Sequence, residues 1–254
     1  MEYIYDGTFE GLLCCFYAHV YEEKADNIMT EKNADQYSLT SRQLILSDET
    51  KAEKVASAIE KKVSPSCLRR CYKAYLSETI GAEMDILAYV FFGFKTGKQV
   101  DFLHGNPIVR RVDEMNIKVS RETEKLRGIL RFQVVCDEQG REILYAHIGP
   151  DADLIQLMMP HFLNRYRKEP FIIHDVNREK AGFASDGRWV MRPLSRDFAP
   201  EFADSEQAYQ TLWQQYFRNA AIKQRINFRC QKNFMPKRYW QYLVENPEEK
   251  ISVL

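Results

Sequence analysis

Apolar positions recur at helical intervals over the first half of the chain and at strand intervals after it. Residues 3–5 read as a short strand that ends at the Asp6-Gly7 turn, after which Thr8 is placed to cap a helix. Three residues on, where a capping box has an acid or its amide, the chain has Gly11, so the box is incomplete. Phe9, Leu12, Leu13, Phe16, Tyr17 and Val20 keep helical spacing, which predicts an amphipathic helix over 8–23. The polar stretch 26–40 reads as a loop with room for one short element, and 44–46 as a second short strand. Asp48 caps the next predicted helix, 49–62, which Ser64-Pro65 ends. The sets Leu68, Cys71, Tyr72, Tyr75, Leu76 and, after Gly81, Met84, Leu87, Ala88, Phe91, Phe94 predict two more helices that form much of a core. Asn106-Pro107 opens another, which Ile108, Val112, Met115 and Val119 carry toward Arg127, with Gly128 as its stop.

The period then changes. Residues 129–135 and 143–148 are strand-like, joined by a hairpin at 137–140. A helix over 153–167 has Ile155, Met158, Phe162 and Tyr166 on one side, with Pro160 expected to kink or restart it. Residues 171–176 predict a third strand, and Gly187 turns the chain into a fourth at 188–191. The expected class is α+β: a mainly helical portion over 1–127, an antiparallel ββαββ sheet unit over 128–198, and C-terminal helices over 199–254. A single compact domain is the alternative. An acidic tail follows at 245–249.

Charge changes this picture in one place. The 254 residues hold 36 Lys or Arg and 36 Asp or Glu, for a formal net charge of zero. Yet residues 207–244 carry Arg218, Lys223, Arg225, Arg229, Lys232, Lys237 and Arg238 and not one acid, so the rest of the chain is net acidic. These cations alternate with Trp213, Tyr216, Phe217, Phe228, Phe234, Tyr239 and Trp240. Cations attract phosphate and aromatic faces stack on bases, the pairing that single-strand binders use. Residues 213–226 read as a core-packed helix with one cationic face, which leaves NFMPKRYW, broken by Pro236, as the place for specific contact. Zero net charge excludes a surface that coats nucleic acid all over, but allows one basic face. The longest apolar run, 86–94, is too short to span a bilayer, so no membrane partner is expected. The opening residues show no secretory signal, which predicts a cytoplasmic location.

Six cysteines then read as reduced thiols. Cys67 and Cys71 share a helix face as core residues, and with Ala74 in the third position they make no CxxxCxxC cluster loop. His19, His104, His147, His161 and His174 form no metal-ligand spacing, and no phosphate loop, GxGxxG or GxSxG is present. Neither a metal nor a cofactor is expected. His174-Asp175, at a strand end, are the acid-base candidates, although alternation sends them to opposite faces unless the strand ends or bulges. Arg178, three residues on, is placed to meet phosphate. Asp151 and Asp153 read as helix-start acids. Further basic groups lie at Arg69, Arg70 and Lys73, at Arg110 and Arg111, at Lys125, Arg127 and Arg131, and at Arg165, Arg167 and Lys168. Solvated helix faces are their default, but several on one side with the C-terminal stretch would form a phosphate-tracking groove.

YDGTFEGLL at 5–13, KLRGILRF at 125–132, LYAHIGPDAD at 144–153, PHFLNRY at 160–166, FIIHD at 171–175 and NFMPKRYW at 233–240 occur in that order. In this the chain resembles a bacterial family of uncharacterised proteins, a domain of unknown function described as DNA-metabolism proteins. The resemblance implies a gene neighbour, a radical-SAM protein assigned to DNA modification or repair, and kinship with domains fused to a uracil-DNA glycosylase-like domain. This chain, too short for that domain, would be the stand-alone form. The expected function is a DNA-binding accessory of a DNA repair or modification system that acts with the radical-SAM partner. Arg225, Arg229, Lys232, Lys237 and Arg238 would contact phosphate, with Tyr239 or Trp240 stacking. One alternative is a DNA-processing enzyme, a nuclease or base-excising activity using His174 and Asp175. Another is a scaffold that docks the partner protein through MPKRYW.

Overall fold

The computed structural model describes residues 1–34, 40–220, 222, 225 and 227–244, apart from the side chains at 217 and 218. Lys223, the side chains of Phe217 and Arg218, part of the expected loop at 26–40 and the acidic tail at 245–249 therefore lie outside the described residues. The chain forms two compact units, one of Met1–Ser120 and one that begins at Arg121.

The first unit opens with strand β1 (Glu2–Tyr5), helix α1 (Phe9–Tyr21) and strand β2 (Asn27–Thr30). Strand β3 (Arg42–Ile45) and helices α2 (Glu49–Lys62), α3 (Pro65–Leu76) and α4 (Ala82–Thr96) follow, and then α5 (Pro107–Ile129), within which the division between the units falls. The strands order β2-β1-β3 and pair in parallel, with Tyr3 opposite Ile28 and Gln43. Parallel neighbours need a crossover, and α1 supplies it between β1 and β2. Strand β2 lies in the stretch expected to be mostly loop; only Ile28 of its four residues is buried, too little for a period to register. Tyr3, Tyr5, Leu12, Ile59, Cys67, Cys71, Ile86 and Tyr89 are buried in the core of this unit.

The incomplete capping box of α1 has a structural reason. Thr8 Oγ1 accepts the Gly11 N–H at 2.9 Å, while the Thr8 N–H, which a box acid would take, is accepted by Asp6 Oδ1 at 2.9 Å. A Cβ at position 11 would run into that carboxylate and lie 2.9 Å from Ser47 Oγ. Asp6 thus does the work of the missing acid and leaves only enough room for glycine.

The second unit contains β4 (Gln133–Cys136), β5 (Glu142–Ile148), α6 (Ile155–Arg165), β6 (Phe171–Asp175), β7 (Lys180–Ser185), β8 (Arg188–Pro193) and β9 (Glu201–Phe202). Helices α7 (Asp204–Ala220) and α8 (Phe228–Phe234) and a 3-10 turn at Lys237–Tyr242 complete it. Its sheet has the order β8-β7-β6-β5-β4-β9. The α+β class stands, with two differences from the expected antiparallel ββαββ unit. The β5–β6 pair is parallel, because α6 connects these strands as a crossover and packs against β6 and β7. Strand β7, absent from the expectation, pairs antiparallel with β6 and β8; its small residues in KAGFAS give no alternating apolar signal. Helix α6 runs through Pro160, which sits on its exposed side. Among the described residues no helix is long and apolar enough to cross a membrane.

Candidate nucleic-acid interface

Residue alternation along β6 sends His174 and Asp175 to opposite faces of the sheet, and both are 0% exposed. His174 pairs in register with His147, and its Nδ1 lies 2.8 Å from the Tyr145 hydroxyl on the same face. Burial pushes both imidazoles below their ordinary pKa. On the other face Asp175 accepts from the Asn177 N–H at 3.1 Å and Arg178 Nη1 at 2.9 Å, and burial raises its pKa against the pull of Arg178. The two groups of the expected acid-base pair thus do not face a common position, and neither meets solvent. Arg178 likewise faces inward. Its guanidinium donates to the Pro150 carbonyl at 3.2 Å and the Asp151 carbonyl at 2.7 Å as well as to Asp175, so its charge and several of its donors are engaged within the chain.

Part of the C-terminal motif also faces inward. Tyr239 and Trp240 are each 1% exposed, so they pack in the interior and present no face for stacking on a base. The indole Nε1 donates to the Met235 carbonyl at 2.8 Å. Glu122 of α5, itself 5% exposed, accepts from the Tyr239 hydroxyl, from Arg238 Nη2 at 3.1 Å, and from the backbone N–H groups of Asp151 at 2.9 Å and Ala152 at 3.1 Å. Arg238 Nη1 also pairs with Asp151 Oδ2 at 2.6 Å, so this cation is matched by two carboxylates. Asp151 and Asp153, read as helix-start acids, serve as ion-pair partners, Asp153 to Lys180, while α6 starts after Leu154 without a side-chain cap. MPKRYW thus docks on its own chain. Arg225, Arg229, Lys232 and Lys237 are exposed, with Lys237 Nζ 5.6 Å from the centre of the Trp240 ring.

A different part of the basic stretch borders an open groove. Its volume is about 930 Å³, within the range of ligand sites. Phe132, which follows α5, lies 5.4 Å from the ring of Phe162 on α6 and 5.1 Å from the ring of Tyr166 just after that helix, edge to face with both. Arg165, in the last turn of α6, stands 5.6 Å from the Tyr166 ring centre. Tyr209, Trp213 and Tyr216 line the groove from α7. Their i, i+4, i+7 spacing gives them one helix face, and they are 62%, 38% and 64% exposed. The core packing expected for this helix does not cover that face; the structure leaves the stripe open. Arg131 lies 5.6 Å from the Trp213 ring, its Nη1 donating to the Ile129 carbonyl at 3.1 Å near the end of α5. Arg127 donates to the Leu157 carbonyl at 2.7 Å. Glu206 lines the same space, where it accepts the Val134 N–H at 2.8 Å and the Gln210 amide at 2.9 Å.

The groove therefore brings three arginines among exposed aromatic faces; Arg127 pairs with Glu124 at 2.7 Å and Arg131 donates to backbone carbonyls, so Arg165 is the one best placed to hold phosphate beside a planar ring. Arg127 and Arg131 belong to one basic group of the sequence and Arg165 to another; their meeting with α7 depends on the fold. Among the described residues no group of three or more His, Cys, Asp or Glu could hold a metal ion.

Fold and groove together define an α+β protein with a basic, aromatic surface cleft. The chain belongs to the DUF4130 family, a domain of unknown function, which matches residues 81–245 and so takes in the whole groove. Neither a curated protein nor a solved structure matches the chain significantly.

Proposed function

We propose that this protein is the DNA-binding accessory of a bacterial DNA repair or modification system, in which a radical-SAM partner performs the chemistry. The observation that carries the reading is the groove where Arg127, Arg131 and Arg165 converge with the exposed rings of Tyr209, Trp213 and Tyr216. Exposed Arg225, Arg229 and Lys232 extend the supply of cations along the chain. The DNA target and the radical-SAM partner come from the resemblance and the charge pattern, and a cytoplasmic setting goes with them.

Phosphate contacts release counterions, so the affinity for DNA falls with salt, by about 0.7 in the log–log slope per contact on a single strand. Arg165→Ala is the cleanest probe, because the guanidinium of this arginine rests beside the Tyr166 ring and its loss should disturb little else. The variant is expected to bind a DNA oligonucleotide more weakly at low salt and to flatten the slope by about 0.7. An unchanged slope and affinity would remove the groove from DNA binding. Co-purification with the radical-SAM protein, compared between the wild type and this variant, tests the partnership separately.

A further inference from the structure

We infer that the groove selects single-stranded DNA over duplex by stacking an unpaired base on the exposed Tyr216 ring of a cluster formed by Arg131, Trp213 and Tyr216. The inference rests on the nucleic-acid reading of the groove and specifies its substrate.

The cluster is held together by contacts within the chain. Arg131 Nη1 donates to the carbonyls of Gly128 at 3.4 Å, Ile129 at 3.1 Å and Leu130 at 3.3 Å, which pins the guanidinium over the Trp213 ring. Trp213 in turn meets Tyr216 with ring centroids 5.7 Å apart and planes 32° apart. Cation and phenol are thus both neighbours of the indole, the two rings tilted against each other, and Tyr216 is 64% exposed. A large ring left open beside fixed cations marks an interaction surface. Its chemistry favours a planar ring carried on an anionic chain. Arg165 lines the same groove from α6, where it can take a phosphate of the same strand.

Duplex bases stack on one another and offer only their edges to a protein. A tyrosine face has nothing to stack on there, although the arginines would still meet the phosphates. A single strand offers both groups at once. The Tyr216 ring should therefore add affinity for single strands alone, while Arg165 adds affinity for either form.

The test titrates the full chain, wild type, Tyr216→Ala and Arg165→Ala, into three fluorescent probes: a thymidine 12-mer, an abasic 12-mer of the same backbone, and a 12-base-pair duplex. Tyr216 is exposed on a helix where alanine is a good residue, so its variant should fold, and circular dichroism checks this. The wild type is expected to bind the thymidine strand about tenfold or more tighter than either other probe, since one stacked base contributes roughly 5- to 150-fold. Tyr216→Ala should lose at least about fivefold on that strand and less than about twofold on the others. Equal loss on all three probes, or a wild-type preference for duplex, overturns the inference. If Arg165→Ala weakens every probe while Tyr216→Ala does not discriminate, the nucleic-acid reading survives and the base-stacking inference falls. If no probe binds the wild type, both fall, and a protein ligand for the aromatic stripe becomes the reading to pursue.

Discussion

Glu122→Ala is the substitution through which the second unit should reveal what holds its C-terminal segment in place. The carboxylate accepts four donors: the N–H groups of Asp151 and Ala152, the Tyr239 hydroxyl and Arg238 Nη2. Ala152 is 0% and Tyr239 1% exposed, so at least two donors would be stranded away from water. Each such group costs about 1–3 kcal/mol. Arg238 contributes little to the loss, because its side chain is 48% exposed and keeps Asp151 as a partner. The expected destabilisation is about 3–5 kcal/mol, since losses in one network are not additive. Urea unfolding followed by tryptophan emission, to which buried Trp240 contributes, reads it as a midpoint lowered by roughly 1 M or more at unchanged slope. Arg238→Ala should cost much less in the same assay. A midpoint within about 0.3 M of wild type for Glu122→Ala, or an equal loss for both variants, would refute the reasoning. The segment at stake also reaches the groove, where Gln214 Nε2 donates to the Val244 carbonyl at 3.0 Å. Val244, the last described residue, lines that groove, so Glu122 and α7 hold the two ends of the same short segment.

Gly149→Ala should also destabilise this unit, by about 1–3 kcal/mol, because a Cβ there would run into the Tyr242 hydroxyl and lie 2.9 Å from its Cζ. Adding Tyr242→Phe should relieve part of the loss in a thermal melt, and no relief would show that the crowding lies elsewhere. Burial lowers the pKa of His147 and His174, so below their ordinary value of 6.5 the unfolded chain binds protons that the folded chain resists. Their contribution to stability is therefore complete above pH 6.5 and is lost as pH falls through the lowered folded values. Asp175, whose pKa is raised, acts with the opposite sign at lower pH, where its protonation favours the fold. A melting temperature that stays flat from about pH 7.5 to about pH 5.5 would contradict the histidine assignment.

Much of the local structure is legible in the sequence. Helical spacing marks α1 to α5, a turn residue marks the start of β8, and the Thr8 cap is visible with its missing partner. The charge asymmetry of residues 207–244 can be counted directly. Strands β2 and β7 escape, because Asn27–Thr30 and Lys180–Ser185 bury too few large side chains to set a period. The parallel β5–β6 pairing escapes as well, since strand direction depends on where a crossover helix packs.

The candidate site divides in the same way. Spacing alone puts Tyr209, Trp213 and Tyr216 on one face of α7, but whether that face is covered is a tertiary matter, and here it stays open. Tyr239 and Trp240, aromatic like them and beside the same kind of cations, are buried. The difference comes from partners far away in the chain: Glu122, 117 residues before Tyr239, draws the C-terminal turn inward. Residue types and local periods, then, were determined by the sequence itself, because they depend on neighbours within a few positions. Which cations are neutralised and which rings stay exposed was decided only by the tertiary structure, because both depend on contacts between segments that no local pattern brings together.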